Sequence, residues 1–188
     1  CVGGLRNARR RGSTLLEQAQ AANEALIDNT PDRSAFVTGL VGRLDLRTGV
    51  LTVVNAGHPA PLLVRDGAAQ FVPLTVNRPF GVLRDKTYRA TRVELRPGDR
   101  LVLLTDGMLE RGAATLDLPG HLRHLGALHP RELVRVLGDL VLEVAGSTGT
   151  LPDDACLLVL DWHGGHGETR HTTAGAEPHR ASPPANSR

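Results

Sequence analysis

Asp106, Asp153 and Asp154 each adjoin an apolar run. Leu101-Val-Leu-Leu-Thr-Asp-Gly107 carries one carboxylate into a glycine turn, and Pro152-Asp-Asp-Ala-Cys-Leu-Leu-Val-Leu160 presents two just before another run. A strand that ends in aspartate holds an oxygen ligand at the mouth of a sheet, where carboxylates meet hard cations such as Mg²⁺ or Mn²⁺. Two such cations about 4 Å apart lower the pKa of a bridging water and neutralise phosphoryl oxygens, the two requirements for hydrolysing a phosphomonoester at neutral pH. Asp106 and Asp153 reach one cation only if their strands are neighbours in one sheet, and Asp154 is the alternate to Asp153. Plainer readings stand beside these. Asp-Gly after apolar residues is a common hairpin turn, and Asp154 also suits a turn residue that caps local N–H groups.

A second polar constellation is Asn55-Ala-Gly-His-Pro59, which sets Asn55 and His58 in a tight turn between two strand-like segments. Its plain reading is a turn in which Asn55 bonds backbone groups and Gly57 adopts a special conformation. Other phosphatase and hydrolase chemistries fail on residue type. Cys156 runs into an apolar strand with no phosphate-binding arginine five residues on, so it reads as a core thiol. The single lysine, Lys86, lies in no Gly-x-x-x-x-Gly-Lys loop, and no serine lies in a Gly-x-Ser-x-Gly elbow.

Together with Phe36-Val-Thr-Gly-Leu40, these segments resemble the PPM-type metal-dependent serine/threonine protein phosphatases, in particular their bacterial sporulation-stage-II-E-like branch. Phe36-Val-Thr38 matches a strand motif of that branch, Asn55 to Pro59 its Asn-Ala-Gly-His-Pro signature, Thr105-Asp-Gly107 its Thr-Asp-Gly motif and Asp153-Asp154 its terminal Asp-Asp motif. All four come in the family's order, over about residues 1 to 162. The resemblance implies an α+β domain, an antiparallel β-sandwich flanked by α-helices. It implies a two-metal site for Mn²⁺ or Mg²⁺ with Asp106 and Asp153 as ligands, supported by Gly107, Asn55 and His58. Distant relatives carry an acidic residue in place of His58 that touches an additional metal, so His58 argues against that extra site. Glu110 is expected to be a solvated or switch-contact residue, and Ala155-Cys156, where the family usually has threonine, loses only a supporting hydroxyl.

The resemblance also implies a phosphorylated protein as substrate, an anti-sigma-factor antagonist by analogy with the branch, and a sensor domain upstream. Two family motifs, Gly-Gly-Asp and Asp-x-x-Gly-His-Gly, do not occur in the sequence. The chain is therefore expected to be an N-terminally truncated, C-terminal portion of the catalytic domain and inactive alone. The rival expectation is a regulatory or binding module of the same fold without catalysis.

The elements that must position these residues follow from periodicity. Leu15, Leu16, Ala19, Ala22, Leu26 and Ile27 line one helical face within residues 2 to 28, and Thr14-Leu-Leu-Glu17 forms a capping box after a break near Gly12. Short β segments are expected at 35–45, 50–55, 60–65, 69–74, 90–96 and 100–105, paired consecutively and antiparallel, with 75–89 a loop. Helices are expected at 119–126 and 130–145. The second opens on Pro130 and buries Leu133, Val134, Leu137, Leu140, Val141 and Val144. A final strand covers 155–161, and residues 163–188, rich in Gly, His, Ser and Pro, read as a disordered tail.

With 22 basic and 20 acidic residues, the formal charge of +2 supplies no electrostatic footprint for nucleic acid or membrane. The Arg9-Arg-Arg11 cluster reads as the polar face of a helix. Two cysteines far apart form no disulfide framework and fit a reducing cytoplasm, and no apolar run approaches the roughly 20 residues of a membrane helix.

Overall fold

The computed structural model describes residues 1–30, 35–84, 87–108, 117–145 and 156–164. Helix α1 (Val2–Arg10) and helix α2 (Leu15–Asn29) are separated at Gly12, whose φ is +76°. The Thr14–Glu17 capping box is present in both directions, with Thr14 N donating to Glu17 Oε2 at 2.6 Å and Glu17 N donating to Thr14 Oγ1 at 3.3 Å. Gly4 lets the helices approach closely, since a Cβ there would lie 2.6 Å from the Ala21 carbonyl oxygen. Arg9, Arg10 and Arg11 are exposed, as a polar helix face requires.

Among the described residues eight strands form two four-stranded sheets. In the first, β2 (Val50–Ala56) pairs antiparallel with β1 (Gly39–Leu44) and β6 (Thr91–Glu94), and parallel with the two-residue β5 (Val76–Asn77). In the second the order is β4 (Ala68–Phe71), β3 (Leu62–Arg65), β7 (Arg100–Leu104), β8 (Leu157–Asp161), all antiparallel. On the second sheet pack α3 (Leu118–Leu125) and α4 (Pro130–Ala145).

The period-2 alternation of the strands sorts side chains into three apolar layers. Leu62, Val64, Val102 and Leu104 face α3 and α4, meeting Leu122, Leu133, Leu137 and Val141. Their alternating neighbours Leu63 and Leu101 turn the other way and join Val72, Leu95 and Trp162 between the sheets. Val54 and Ala56 face α2, against Leu15, Ala19, Ala22, Phe80 and Tyr88. The result is a helix–sheet–sheet–helix sandwich, the α+β class expected. Among the described residues no helix is long and apolar enough to cross a membrane.

Five expectations need correction. Pairing is not consecutive throughout, since β2 and β3 lie in different sheets and pair instead with β6 and β7. Residues 35–38 are not part of β1; Val37 makes an isolated bridge to Phe80 with bonds of 3.0 and 2.9 Å. The 75–89 segment is not only a loop, because Val76 and Asn77 pair with Asn55 and Ala56, and this pairing is parallel. Leu16 and Val134 belong to the apolar stripes of their helices but are exposed, because they sit at the margin of stripes wider than the surface available to cover them. Cys156 is exposed and not a core thiol, because it precedes β8 and lies outside the packed ladder. The side chain of Val144 and the segments 109–116, 146–155 and 165–188 lie outside the described residues, and with them the expectations for Glu110, Asp153, Asp154 and most of the tail.

Candidate functional site

Strand β7 ends at Leu104, and Asp106–Met108 follows as one 3-10 turn rather than a hairpin. Met108 is 3 % exposed and plugs the layer beneath α3 and α4, which anchors the turn from below. With Gly107 and Met108 buried, Asp106 is left exposed at the sheet end. Its Oδ1 accepts from Gly107 N at 3.1 Å, so the glycine supports the carboxylate through its amide.

Thr105 ties this end of β7 to the start of β8. Thr105 N donates to the Cys156 carbonyl at 3.1 Å, and Cys156 N donates to Thr105 Oγ1 at 2.8 Å. The pairing continues the β7–β8 register, in which Leu104 faces Leu157. The strands beside the two Asp motifs are therefore neighbours in one sheet, which was the condition for a shared cation. Asp153 and Asp154 themselves, three and two residues before Cys156, lie outside the described residues.

The Asn55–Pro59 turn carries the chain from β2 in the first sheet to β3 in the second. Because Leu62 faces Val102 in the β3–β7 register, the residues before Leu62 and those after Val102 run to the same end of the sandwich, His58 on one side and Asp106 on the other. Asn55 is 1 % exposed and uses both ends of its amide on His58: Nδ2 donates to the His58 carbonyl at 2.9 Å and Oδ1 accepts from His58 N at 2.8 Å. Gly57 has φ +69°, and a Cβ there would stand 2.7 Å from Pro79 Cγ, so glycine is required twice over. Asn77 closes the turn from outside, donating to the carbonyls of Asn55 at 3.0 Å and Arg89 at 2.9 Å. The turn that the residue types predict is thus present, and it holds up the His58 ring, whose Nδ1 lies 3.3 Å from Thr38 Oγ1.

Sequence reasoning assigned no role to Thr105, Thr38 or Asn77. The first two stood inside quoted motifs, so a signal existed. Asn77 had none, since its partners come from β2 and from residue 89.

The described residues bring one carboxylate, Asp106, to this end, and they contain no group of three or more His, Cys, Asp or Glu arranged to hold a metal. Hard-cation chemistry fits an exposed carboxylate at a strand end, but one carboxylate falls short of the several oxygen anchors Mg²⁺ needs. A separate cleft of about 370 Å³ lies at the other end of β7, lined by Asp99, Arg100, Arg123, Asp161 and His163 among others. Two of its acidic residues are engaged: Arg100 is bidentate on Asp161 at 2.6 and 2.8 Å, and Arg65 on Asp99 at 2.8 and 2.6 Å. This cleft is away from the candidate site.

Comparison with known proteins places this geometry. A family model described as Stage II sporulation protein E (SpoIIE) matches residues 1–163. The chain is similar to the phosphoserine phosphatase RsbP of Bacillus subtilis, 24 % identical over 140 residues, covering 73 % of this chain and 34 % of RsbP. Among solved structures it is similar to the RsbU and RsbW domains of Rv1364c from Mycobacterium tuberculosis, with TM-score 0.67 and 29 % identity over 84 % of this chain and 44 % of that one. It also shares the fold of the catalytic domain of the serine/threonine protein phosphatase PstP in complex with two manganese ions, with TM-score 0.62 and 19 % identity over 84 % of this chain and 78 % of that one. The chain spans about a third of RsbP and less than half of the Rv1364c structure. With fold and motifs in agreement over most of its length, the chain belongs to the SpoIIE family of PPM-type phosphatase domains.

Proposed function

We propose that the protein containing this chain hydrolyses phosphoserine or phosphothreonine on a protein, using Mn²⁺ or Mg²⁺ held in part by Asp106 and Asp153, with Asp154 as the alternate to Asp153. The observation that carries the reading is the Thr105–Cys156 tie, which makes the segments bearing Asp106 and Asp153-Asp154 leave adjacent strands at one sheet end. Bound there, the cations would supply a water of lowered pKa and neutralise charge on the phosphoryl group. The exposed Asp106 offers a carboxylate for this without disturbing the core, and Gly107, Asn55 and His58 shape the surroundings. Manganese in the PstP structure and the phosphoserine phosphatase activity in RsbP's name support the metal and the substrate class. The sporulation-stage-II-E resemblance supports an anti-sigma-factor antagonist as the phosphoprotein.

A second reading, a regulatory or binding module without catalysis, is favoured by the presence of only one carboxylate among the described site residues. Mn²⁺-dependent hydrolysis of p-nitrophenyl phosphate by the full-length protein, against Asp106→Asn in the same background, separates the two. The phosphatase reading expects activity that falls at least about 100-fold in the variant, and no activity in either protein favours the module. The 188-residue chain assayed alone is expected to be inactive. Turnover near the full-length rate would show that Asp106 and the 153–154 pair suffice.

A further inference from the structure

We propose that the open edge of β4, with the groove between it and β6, docks an extended segment of a partner protein in which acidic and apolar residues alternate. This interaction surface is independent of the phosphatase reading, since it lies on a different face and involves no turnover.

Strand β4 ends the second sheet, and among the described residues no strand pairs with its outer side. The register tells which of its backbone groups are free. Val72 N donates to the Pro61 carbonyl at 2.8 Å, so residues 61 and 72 form a hydrogen-bonded pair. By the alternation of an antiparallel ladder, so do 63 with 70 and 65 with 68. Ala69 and Phe71 therefore direct their N–H and C=O groups away from β3, out of the sheet edge. Ala68-Ala-Gln-Phe71 carries neither a charge nor a proline, two usual guards of an exposed edge, so it can accept another strand.

A strand added there alternates its side chains between the two faces of the sheet. On one face stands Phe71, which shares the side of Leu62 and Ala69 yet is 50 % exposed, an apolar contact waiting for a partner. On the other face a groove of about 270 Å³ separates β4 from β6, with Leu63, Val72 and Val93 as its apolar lining. Arg65, Arg92 and Arg96 line it as well. Arg65 is held by Asp99, but Arg92 and Arg96 are exposed and make no ion pair among the described residues, and the one carboxylate in the lining is Glu94. Glutamate suits this face, because its methylenes cover the apolar lining while its carboxylate reaches a guanidinium. A second copy joined edge to edge would bring another Ala68-Ala-Gln-Phe71, which has no acid to offer, so the charge selects a different protein.

Fluorescence anisotropy of labelled Glu-Val-Glu-Val-Glu on the full-length protein tests this. The peptide is expected to bind, and Lys-Val-Lys-Val-Lys at least about tenfold more weakly. Arg92→Ala combined with Arg96→Ala should weaken the acidic peptide by at least about tenfold. Ala69→Pro removes an outward N–H while leaving the ladder to β3 intact, and should weaken binding by about tenfold with Tm unchanged. A readout on the unaltered protein comes from methylating the peptide nitrogens of either the valines or the glutamates. Only one of these sets faces β4, so one methylated peptide should lose binding and the other keep it. Equal affinity of the two methylated forms would overturn the proposal, as would no binding of the acidic peptide. Equally tight binding of Glu-Glu-Glu-Val-Val would overturn it too, because it would reveal a basic patch that reads charge without strand pairing.

Discussion

Asn55 satisfies four polar groups within one turn, two of its own amide and two of the His58 main chain, while itself almost fully buried. Removing that amide leaves the His58 N–H and C=O without their partners, a cost of about 2 kcal/mol or more. Asn55→Ala is therefore expected to lower the unfolding midpoint in a denaturant titration and to blur the His58 ring resonances, because the turn loses its brace. Thr105 works on the same scale. Thr105→Val keeps the shape but removes the oxygen that accepts from Cys156 N at 2.8 Å. The expected cost is about 1 kcal/mol, with faster amide exchange at Cys156 as the local signature and Thr105→Ser behaving as wild type. Both residues sat in motifs visible in the sequence, and the turn in which Asn55 bonds backbone groups was readable there, yet their longer-range partners were not. Thr105 bonds a residue on another strand, and Asn55 is locked by Asn77 through a parallel pairing that no short-range pattern announces.

At the scale of elements, the β7 strand feeds two apolar layers at once, since Val102 and Leu104 face α4 while Leu101 faces the first sheet. The carboxylate of Asp106 is only as well placed as this strand and the Met108 plug beneath its turn. Helix α4 contributes Leu133, Leu137 and Val141, all at most 1 % exposed, to the same layer as Met108. Leu137→Ala should cost about 2–5 kcal/mol by transfer plus cavity. Calorimetry is expected to show it as a fall in Tm, together with looser packing of the α4 face of β7. The apolar period of α4 announced these three residues correctly. Periodicity could not announce that Val134 is left uncovered, because how much of a stripe is buried depends on the width of the sheet it meets.

For the molecule as a whole, the Arg65–Asp99 clamp and the candidate site lie at opposite ends of the second sheet. Away from Asp106, Arg65 clamps β3 of one sheet to β6 of the other by binding Asp99 in bidentate fashion and donating to the Glu94 carbonyl at 2.8 Å. Burial by itself would raise the Asp99 carboxyl, but the Arg65 hydrogen bonds and the Arg96 N–H outweigh it and hold it below its usual range. A depressed carboxylate contributes stability that is complete above its unfolded pKa, about 4, and is lost as pH falls through the lower folded value. Acid titration of unfolding free energy should therefore show a loss beginning near pH 4 that is missing in Asp99→Asn. At neutral pH that variant should be less stable by about 2–3 kcal/mol, under the 3–5 typical of breaking a fully buried pair because Arg65 is 25 % exposed.

By itself the sequence determined what depends on neighbours three or four residues apart. The Thr14–Glu17 box set the start of α2, Pro130 the start of α4, and glycine turns the limits of most strands, because capping and turn chemistry are local. Its motifs also determined the family, since residue types in order survive without any geometry. Only the tertiary structure decided that β7 and β8 are neighbours, that the Asn55–Pro59 turn comes to the end where Asp106 emerges, and that Cys156 stays outside the core. Strand partners and register are chosen by packing between segments distant in the chain, so no window of residues contains them.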